Sequence, residues 1–429
     1  MKQNFYLSFW KWFYPGMRVK RFLLIVLLGI IVMAVGLVFI FDLSSFIWIK
    51  HYLKRCFESH HLTLRFSGVL LIVIGSTLVI LGISNINRSI LKRIAPRQID
   101  QIPDIIYLKR KLGKGPRITV IGGGTGLNTL LRGLKQFTSN IRAIVTVFDS
   151  GGSSGQLRKE MGVLPPGDIR NCLVALSSKE SLMTRLFDYR FREGNLKGHS
   201  FGNLLITAMS EVSGDFYKAI EESSEILAIR GAVLPSTMHK VILCAKTQQQ
   251  RIIRGEANIS LSKEPIEDIF LEPSLVLPLP ESIKALHEAD VILLGPGSLY
   301  TSILCNLLIK QVSEMICNSK ALKMYICNVM TQPGETNHFT ASMHLKQVIR
   351  YLHHNCIDYT LVNSEKMSEK IIQKYDQTDS YRVKDDLTGI FEGRTKIIRA
   401  GLLSEQYYAR HDSYKLARLI MNIINKEIG

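Results

Sequence analysis

A chain of 429 residues with 46% hydrophobic and 21% charged residues has the makeup of a folded protein with room for one large domain or two ordinary ones, which excludes a disordered chain. Its formal net charge of +18 invites nucleic acid as a partner, but of 54 Lys/Arg and 36 Asp/Glu, residues 1–117 hold 18 and 4, leaving 36 and 32 for the rest. An excess confined to the N-terminal region, with no base-stacking or helix-turn-helix signal beside it, fits membrane topology and argues against a nucleic-acid partner.

Two apolar runs open the chain. Phe22–Phe41 and Phe66–Ile86 carry no charge, and about twenty such residues at ~1.5 Å each cover the ~30 Å of a bilayer core. Neither run shows the polar stripe of a helix buried in a soluble core, and no small-residue cleavage site follows the first. The expectation is a two-helix transmembrane hairpin in contact with lipid through 22–41 and 66–86. Lys2, Lys11, Arg18, Lys20 and Arg21 precede the first span, and Arg88, Lys92, Arg93, Arg97, Lys109, Arg110, Lys111, Lys114 and Arg117 follow the second. The connecting segment, about 43–65, holds only Lys50, Lys54, Arg55 and Arg65. Both ends are the more basic, which predicts a cytoplasmic domain on a plasma membrane, or on a plastid membrane if the chain is organelle-encoded. Trp10, Trp12 and Trp48 lie near the expected interfaces. The predicted organisation is an anchor over 1–90, a basic linker over 91–116 and one domain over 117–429.

The pattern changes at Arg117. Ile118–Ile121 is a β-branched run, GGGTGLNTLLRGL follows, and Ile141–Val147 ends close to Asp149. Strand, glycine turn, helix and strand open a dinucleotide-type fold, and Gly122, Gly123, Gly124, Thr125 and Gly126 suit close approach of backbone amides to phosphate. Thr129 takes the third glycine place of G-x-G-x-x-G, which weakens a dehydrogenase reading. Asp149 stands where a ribose partner would sit, or a residue binding a metal or a substrate hydroxyl. DSGGSSG, with Ser153 and Ser154, presents hydroxyls and amides. VLPPGDIRN follows, with Asp168 as an N-cap or a ligand residue and Asn171 just beyond. GHSFGN leads into an apolar helix, with His199 as an acid–base or structural group and Asn203 placed to donate from the first helical turn. Val291–Leu294 runs into Gly295-Pro-Gly297-Ser298-Leu-Tyr300-Thr301-Ser302, and Met324–Met330 runs into TQPGET. Tyr300 is either a stacking ring for a base or a core residue. Three strand ends entering Gly/Ser/Thr loops mark the carboxyl edge of an open parallel sheet as the binding crevice. No Walker A sequence occurs, which sets aside P-loop hydrolysis. The seven cysteines (Cys56, Cys172, Cys244, Cys305, Cys317, Cys327 and Cys356) form no C-x-x-C pair. They show no histidine at metal-ligand spacing, and read as small core residues of a reducing compartment.

In order, IGGGTGL, DSGGSSG, LPPGDIRNCLVAL, GHSFGNLL, VLPST, GPGSLYTSIL and NVMTQPGET resemble the gluconeogenesis-factor (YvcK) family, relatives of 2-phospho-L-lactate transferase (CofD), from about residue 117 onward. The resemblance implies an α/β fold with a Rossmann-like, doubly wound, mostly parallel sheet. It also implies a UDP-sugar ligand, UDP-N-acetylglucosamine, and a regulator linking carbon metabolism to envelope precursors and cell shape through protein partners in precursor synthesis. The transferase relatives instead move a phospholactyl group with a divalent metal. Tyr375 and Arg410 match late family positions, Arg410 as a pyrophosphate fork or a solvated helix charge, within RHDSYKLA as the closing helix. Ser150 replaces a second aspartate, which weakens a Mg²⁺ site. Gln156 replaces an arginine, and Asn337, His338 and Met343 thin the acidic set further. No metal ligand set is assigned, and the oligomeric state stays open.

Overall fold

The computed structural model describes residues 19–41, 61–94, 102–178, 182–262, 264–404 and 409–428. The tryptophans, most of the loop charges, the basic residues before Val19, Arg97 and Cys56 lie outside them. The chain divides into two compact units, 1–108 and 109–429.

In the first unit, helices Val19–Phe41 and His61–Ile94 include spans 20–41 and 66–89, each long and apolar enough to cross a membrane. They run antiparallel along a seam of glycines seven residues apart: Gly29 and Gly36 on one helix, Gly68, Gly75 and Gly82 on the other. A Cβ at Gly29 would stand 2.8 Å from the Gly75 carbonyl oxygen, and one at Gly36 would stand 2.7 Å from that of Gly68. A seven-residue repeat returns small residues to one face every two turns, so the backbones approach as they do in lipid. Ser76 and Thr77 donate to the carbonyls of Ile72 and Val73, at 2.7 and 2.8 Å, so these hydroxyls need no water. Leu24, Leu27, Leu70 and Ile80 face outward. Small residues inside and large apolar ones outside invert the pattern of a soluble helical pair.

Helix Ile102–Gly113 runs through the division of the chain at residue 108, and in the second unit its end is fixed where Asn140 Nδ2 donates to the carbonyls of Gly113 and Gly115 at 2.9 and 2.7 Å. Thirteen strands follow among the described residues: β1 (Ile118–Gly122), β2 (Ile141–Val145), β3 (Ala232–Pro235), β4 (Ile242–Thr247), β5 (Ile252–Arg254), β6 (Ile266–Glu272), β7 (Val291–Leu294), β8 (Leu322–Ile326), β9 (Tyr359–Asn363), β10 (Ile390–Phe391), β11 (Thr395–Ala400), β12 (Leu403–Ser404) and β13 (Arg410–His411). Eight make one sheet in the order β10-β11-β9-β8-β7-β1-β2-β3. Only β10 is antiparallel within it. β1 and β7 are buried along their whole length, as strands covered by helices on both faces must be. β5-β4-β6 form a separate antiparallel sheet, and β12 pairs with β13.

The strand order reverses between β1 and β7. From β1 the chain winds one way through β2 and β3, and from β7 the other way through β8 and β9. Ile121 lies level with Leu294, so the glycine loop after β1 and the Gly295–Ser302 loop after β7 open side by side at the carboxyl edge. This is the switch point where an open α/β sheet leaves a crevice.

Three expectations need correction. The closing helix spans Ser413–Glu427 with Asp412 as its N-cap, so Arg410 sits on β13 and is not a helix charge. Helix Gly167–Leu176 begins after Pro166 with no side-chain cap, so Asp168 lies in its first turn and is not the N-cap. Cys172, Cys244, Cys305 and Cys327 are buried thiols, but Cys317 and Cys356 are joined, with Cα atoms 5.5 Å apart, and His354 stands beside them.

Candidate functional site

A cavity of about 420 Å³ opens at the switch point. Its floor is the glycine loop. Helix Gly124–Leu134 starts from an extended Gly123 whose own residue supplies no side-chain cap; the Gly124 amide meets the Asp168 carboxylate, and the first-turn amides beyond it, with the positive end of the helix dipole, suit an anion. Side chains are excluded by close approach. A Cβ on Gly123 would stand 2.5 Å from Thr146 Cγ2 and 2.6 Å from Asp168 Oδ2, and one on Gly126 would stand 2.6 Å from the Pro296 carbonyl oxygen. The two loops thus touch backbone to backbone.

A third loop, after β8, locks onto the second. Gln332 Nε2 donates to Ser298 Oγ at 2.8 Å, and the Gly297 amide donates to Asn328 Oδ1 at 3.4 Å. Glu335 accepts from the amides of Tyr300 and Thr301 at 3.1 and 3.3 Å, from Thr301 Oγ1 at 2.8 Å and from Ser260 Oγ at 3.3 Å. Burial pushes the Glu335 carboxyl up, and these donors oppose the shift. The far wall carries Tyr375, Arg410 and His411. Tyr375 Oη accepts the Ala409 amide at 3.2 Å, which ties β13 to helix Glu369–Asp376. Burial lowers the His411 pKa to about 4, leaving a neutral imidazole on this wall.

Behind the glycine loop lies a layer of carboxylates. Asp168, desolvated and close to Asp149, is pushed up to about 6, although the Gly124 amide, Asn171 and Arg170 favour its charge. Burial also raises Asp149, against the Gly151 amide at 2.8 Å, the Ser154 hydroxyl and Arg158. Glu256 rises to about 7 through burial and then through Asp149, Glu335 and Asp168, opposed by the Ser150 amide. Ser150 Oγ accepts the Ala257 amide at 3.0 Å and so fixes the start of helix Glu256–Leu261, which carries Glu256. Gln156 pairs outward with Glu160 at 2.9 Å, and the cation acting on Asp149 is Arg158.

Of the residues expected at a site, Gly123, Gly124, Thr125, Gly126, Gly297, Ser298, Tyr375 and Arg410 line the cavity. Asp149, Ser154, Asp168 and Asn171 form the layer behind it. Ser153, His199 and Asn203 make a separate buried group in which Ser153 Oγ meets His199 Nδ1 at 3.0 Å and accepts from Asn203 Nδ2 at 3.2 Å. The Asn203 amide is spent on Ser200 Oγ at 3.2 Å, so Asn203 does not donate from the cavity's helix turn. Gly122, Gly295, Thr301 and Ser302 shape the loops from within, Ser302 Oγ standing behind Gly123. Tyr300 is buried, its ring edge-on to Phe339 at 6.4 Å, so it fills the core and offers no stacking face. His338 instead stacks on Tyr381, with centroids 5.4 Å apart.

Sequence reasoning passed over Glu256, Glu335, Asn328, Gln332, Ser260 and His411. Asn328 carried a signal, a polar residue ending the apolar run of β8, and Glu335 lay in the TQPGET loop. Glu256 carried none, because an acid opening a short helix reads as ordinary dipole pairing.

The model for 2-phospho-L-lactate transferase CofD matches residues 118–403. The gluconeogenesis factor of Bacillus subtilis is 45% identical over 317 residues, 73% of this chain and 100% of its own length. A putative gluconeogenesis factor of Nostoc is 42% identical over 96% of this chain and 92% of its own, a span that leaves no room to omit the N-terminal helices. A crystal structure of a Bacillus halodurans protein covers 72% of this chain and 100% of that one, at 44% identity and a TM-score of 0.70. With the family model matched over residues 118–403 and relatives 42% and 45% identical over 92% and 100% of their own length, the chain belongs to the CofD-like family, in its gluconeogenesis-factor branch.

Proposed function

We propose that the crevice binds a UDP-sugar, with UDP-N-acetylglucosamine the first to test, and that the chain is a membrane-tethered sensor of that ligand. As a gluconeogenesis-factor family member it has a general role in carbon metabolism; the sensor reading extends that role to envelope-precursor supply and cell shape. The observation that carries it is the meeting of two phosphate-compatible loops, Gly123–Gly126 and Pro296–Ser298, across from the Arg410 guanidinium. A diphosphate held by loop amides and an arginine needs no metal, and about 420 Å³ lies within the range of small-molecule pockets. The apolar hairpin holds the sensor at the cytoplasmic face of a plasma or plastid membrane, raising its effective concentration near membrane-bound precursor enzymes. Calorimetric titration of the detergent-solubilised full chain tests the reading: UDP-N-acetylglucosamine binds without Mg²⁺ and without turnover, and Arg410→Ala weakens binding by about 10–100-fold, as loss of a charge-assisted contact worth ~1.5–3 kcal/mol requires. Binding that needs Mg²⁺, or a preference for GDP or NAD⁺, refutes it.

The carboxylate layer favours a second reading, a Mg²⁺-dependent phospholactyl- or nucleotidyl-type transferase. Among the described residues no three of these carboxylates bring ligand atoms within 4.8 Å of one another, so they make a poor cage by themselves. They fit a Mg²⁺ ion only in the mode that takes one or two carboxylates, here Asp149 and Asp168, with bound phosphates supplying further oxygens. Turnover of a nucleotide donor that requires Mg²⁺ would establish this reading over the first.

A further inference from the structure

Cys317, His354 and Cys356 lie away from the crevice. Cys317 is in the last turn of helix Lys310–Asn318, five residues before β8, and Cys356 stands three residues before β9, so the group sits at the amino edge of the sheet. The chain is turned onto it by His353, which ends helix Ala341–Leu352 in the left-handed region at φ 65°. Cys317 Sγ lies 3.6 Å from the Leu352 carbonyl oxygen, which the thiol of the reduced form can reach as a donor. Asn355 Oδ1 accepts from the Ile357 amide at 3.3 Å and from Thr395 Oγ1 at 3.1 Å, which fixes the loop between His354 and Cys356.

The Sγ, Sγ and imidazole nitrogen atoms of these residues all lie within 4.8 Å of one another, the only such group among the described residues. A tetrahedral Zn²⁺ with Zn–S of about 2.3 Å and Zn–N of about 2.0–2.1 Å sets its ligand atoms roughly 3.5–3.8 Å apart, inside that spread. Two thiolates and an imidazole suit a thiophilic cation and disfavour a hard one. Cys356 is buried and Cys317 half-buried, while His354 is exposed, which gives a cation a path in and leaves a fourth position to water.

We propose that the reduced dithiol Cys317/Cys356, together with His354, is a binding site for a thiophilic divalent cation of the Zn²⁺ type. Two thiol protons leave as the cation binds. The disulfide form, opened by a small-molecule dithiol or phosphine that is itself oxidised, is the cation-free alternative of the same site. The ion pins the end of helix Lys310–Asn318 to the entry of β9, on the opposite edge of the sheet from the crevice.

The test uses the full chain in detergent, reduced with a phosphine under inert gas and freed of metal. Zn²⁺ is titrated against a chromophoric chelator, and Co²⁺ is used as a spectroscopic substitute. The expected result is one tightly held cation per chain with thiolate-to-cobalt charge-transfer absorption. That absorption is lost in Cys317→Ser and Cys356→Ser, and affinity falls by at least ~10–100-fold in His354→Ala, the loss that even an outer-shell partner causes. His354 is exposed, so its variant keeps the fold, and an unchanged melting temperature in chelator verifies this. Any of four results overturns the proposal: no binding by the reduced chain, binding that survives Cys317→Ser, full affinity in a folded His354→Ala, or a Cys317–Cys356 pair that resists reduction in the folded protein.

Discussion

Gly126→Ala is the sharpest test of the crevice, because two opposed effects can be weighed. Gly126 lies in the first turn of helix Gly124–Leu134, where alanine should gain ~0.8–1 kcal/mol of helix propensity over glycine. Against this, the new Cβ stands 2.6 Å from the Pro296 carbonyl oxygen and 2.8 Å from its carbon, where ordinary contact begins at 3.4 Å. Those atoms are backbone, so the β7 loop must recede by about 0.8 Å, and overpacking of this kind costs ~1–3 kcal/mol. The net expectation is a loss of about 1 kcal/mol, a fall in melting temperature of roughly 2–4 °C or less for a domain of this size. Separating the loops should also cost one shared phosphate hydrogen bond of ~1–1.5 kcal/mol, about tenfold in UDP-sugar affinity. Thermal denaturation with and without ligand, and calorimetric titration, measure both. A variant that melts at or above the parent temperature and binds as tightly would show that the loops are not held in contact, and would remove the basis of the proposed site.

Glu256→Gln tests the carboxylate layer. A carboxyl raised from 4.5 to about 7 binds protons more readily when folded, so native stability falls as pH rises between about 4.5 and 7 and levels off above. The glutamine variant should be more stable than the parent by roughly 1–2 kcal/mol at pH 8, with the gap closing below pH ~5; equal melting curves at both pH values refute the shared desolvation. Ser150→Asp adds a charge beside Asp149 and Glu256 and should destabilise the protein at pH 8 unless Mg²⁺ is added, and on the sensor reading it should also weaken metal-free UDP-sugar binding; melting curves and titrations with and without Mg²⁺ report both, and no change in either refutes it. In the hairpin, Gly75→Leu places a Cβ 2.6 Å from the Gly29 carbonyl oxygen and should separate the helices, which disulfide cross-linking between engineered cysteines at positions 32 and 72 would report.

What was legible in the sequence follows from how local each feature is. β1 and β7 show as short apolar runs because burial on both faces removes every polar position, and the glycine loop shows because its close contacts admit no other residue. The apolar spans were visible, but their glycine seam was not weighed, since its meaning depends on which residues face each other. β2 stops at Val145 and β8 at Ile326, short of the ends of the apolar runs that announce them, because Thr146, Val147, Cys327 and Val329 are buried in the loops beyond the strand ends and not in strands. Asp168 reads as a cap from its place after Pro-Pro-Gly, whereas the fold turns it back onto the Gly124 amide. Cys317 and Cys356 are 39 residues apart, and only adjacency of β8 and β9 in the sheet brings them together.

The carboxylate layer bears on both functional readings in opposite ways. Asp149 raises Asp168, and both raise Glu256; these carboxylates lie behind a loop otherwise suited to an anion, so each unneutralised charge works against a bound diphosphate. Asp168 is raised to about 6 and Glu256 to about 7, so Glu256 is the member of the layer that changes charge around neutral pH. A metal-free ligand should therefore bind more tightly as pH falls from about 8 to 6, because Glu256 takes up its proton and the opposing field weakens. A Mg²⁺-dependent ligand should behave oppositely over the same range, since its cation competes with those protons for the same oxygens. The sign of the pH dependence of UDP-N-acetylglucosamine affinity between pH 6 and 8, measured with and without Mg²⁺, separates sensor from transferase without any assumption about the acceptor. A Glu256→Gln variant that keeps the full pH dependence would show that another group carries it.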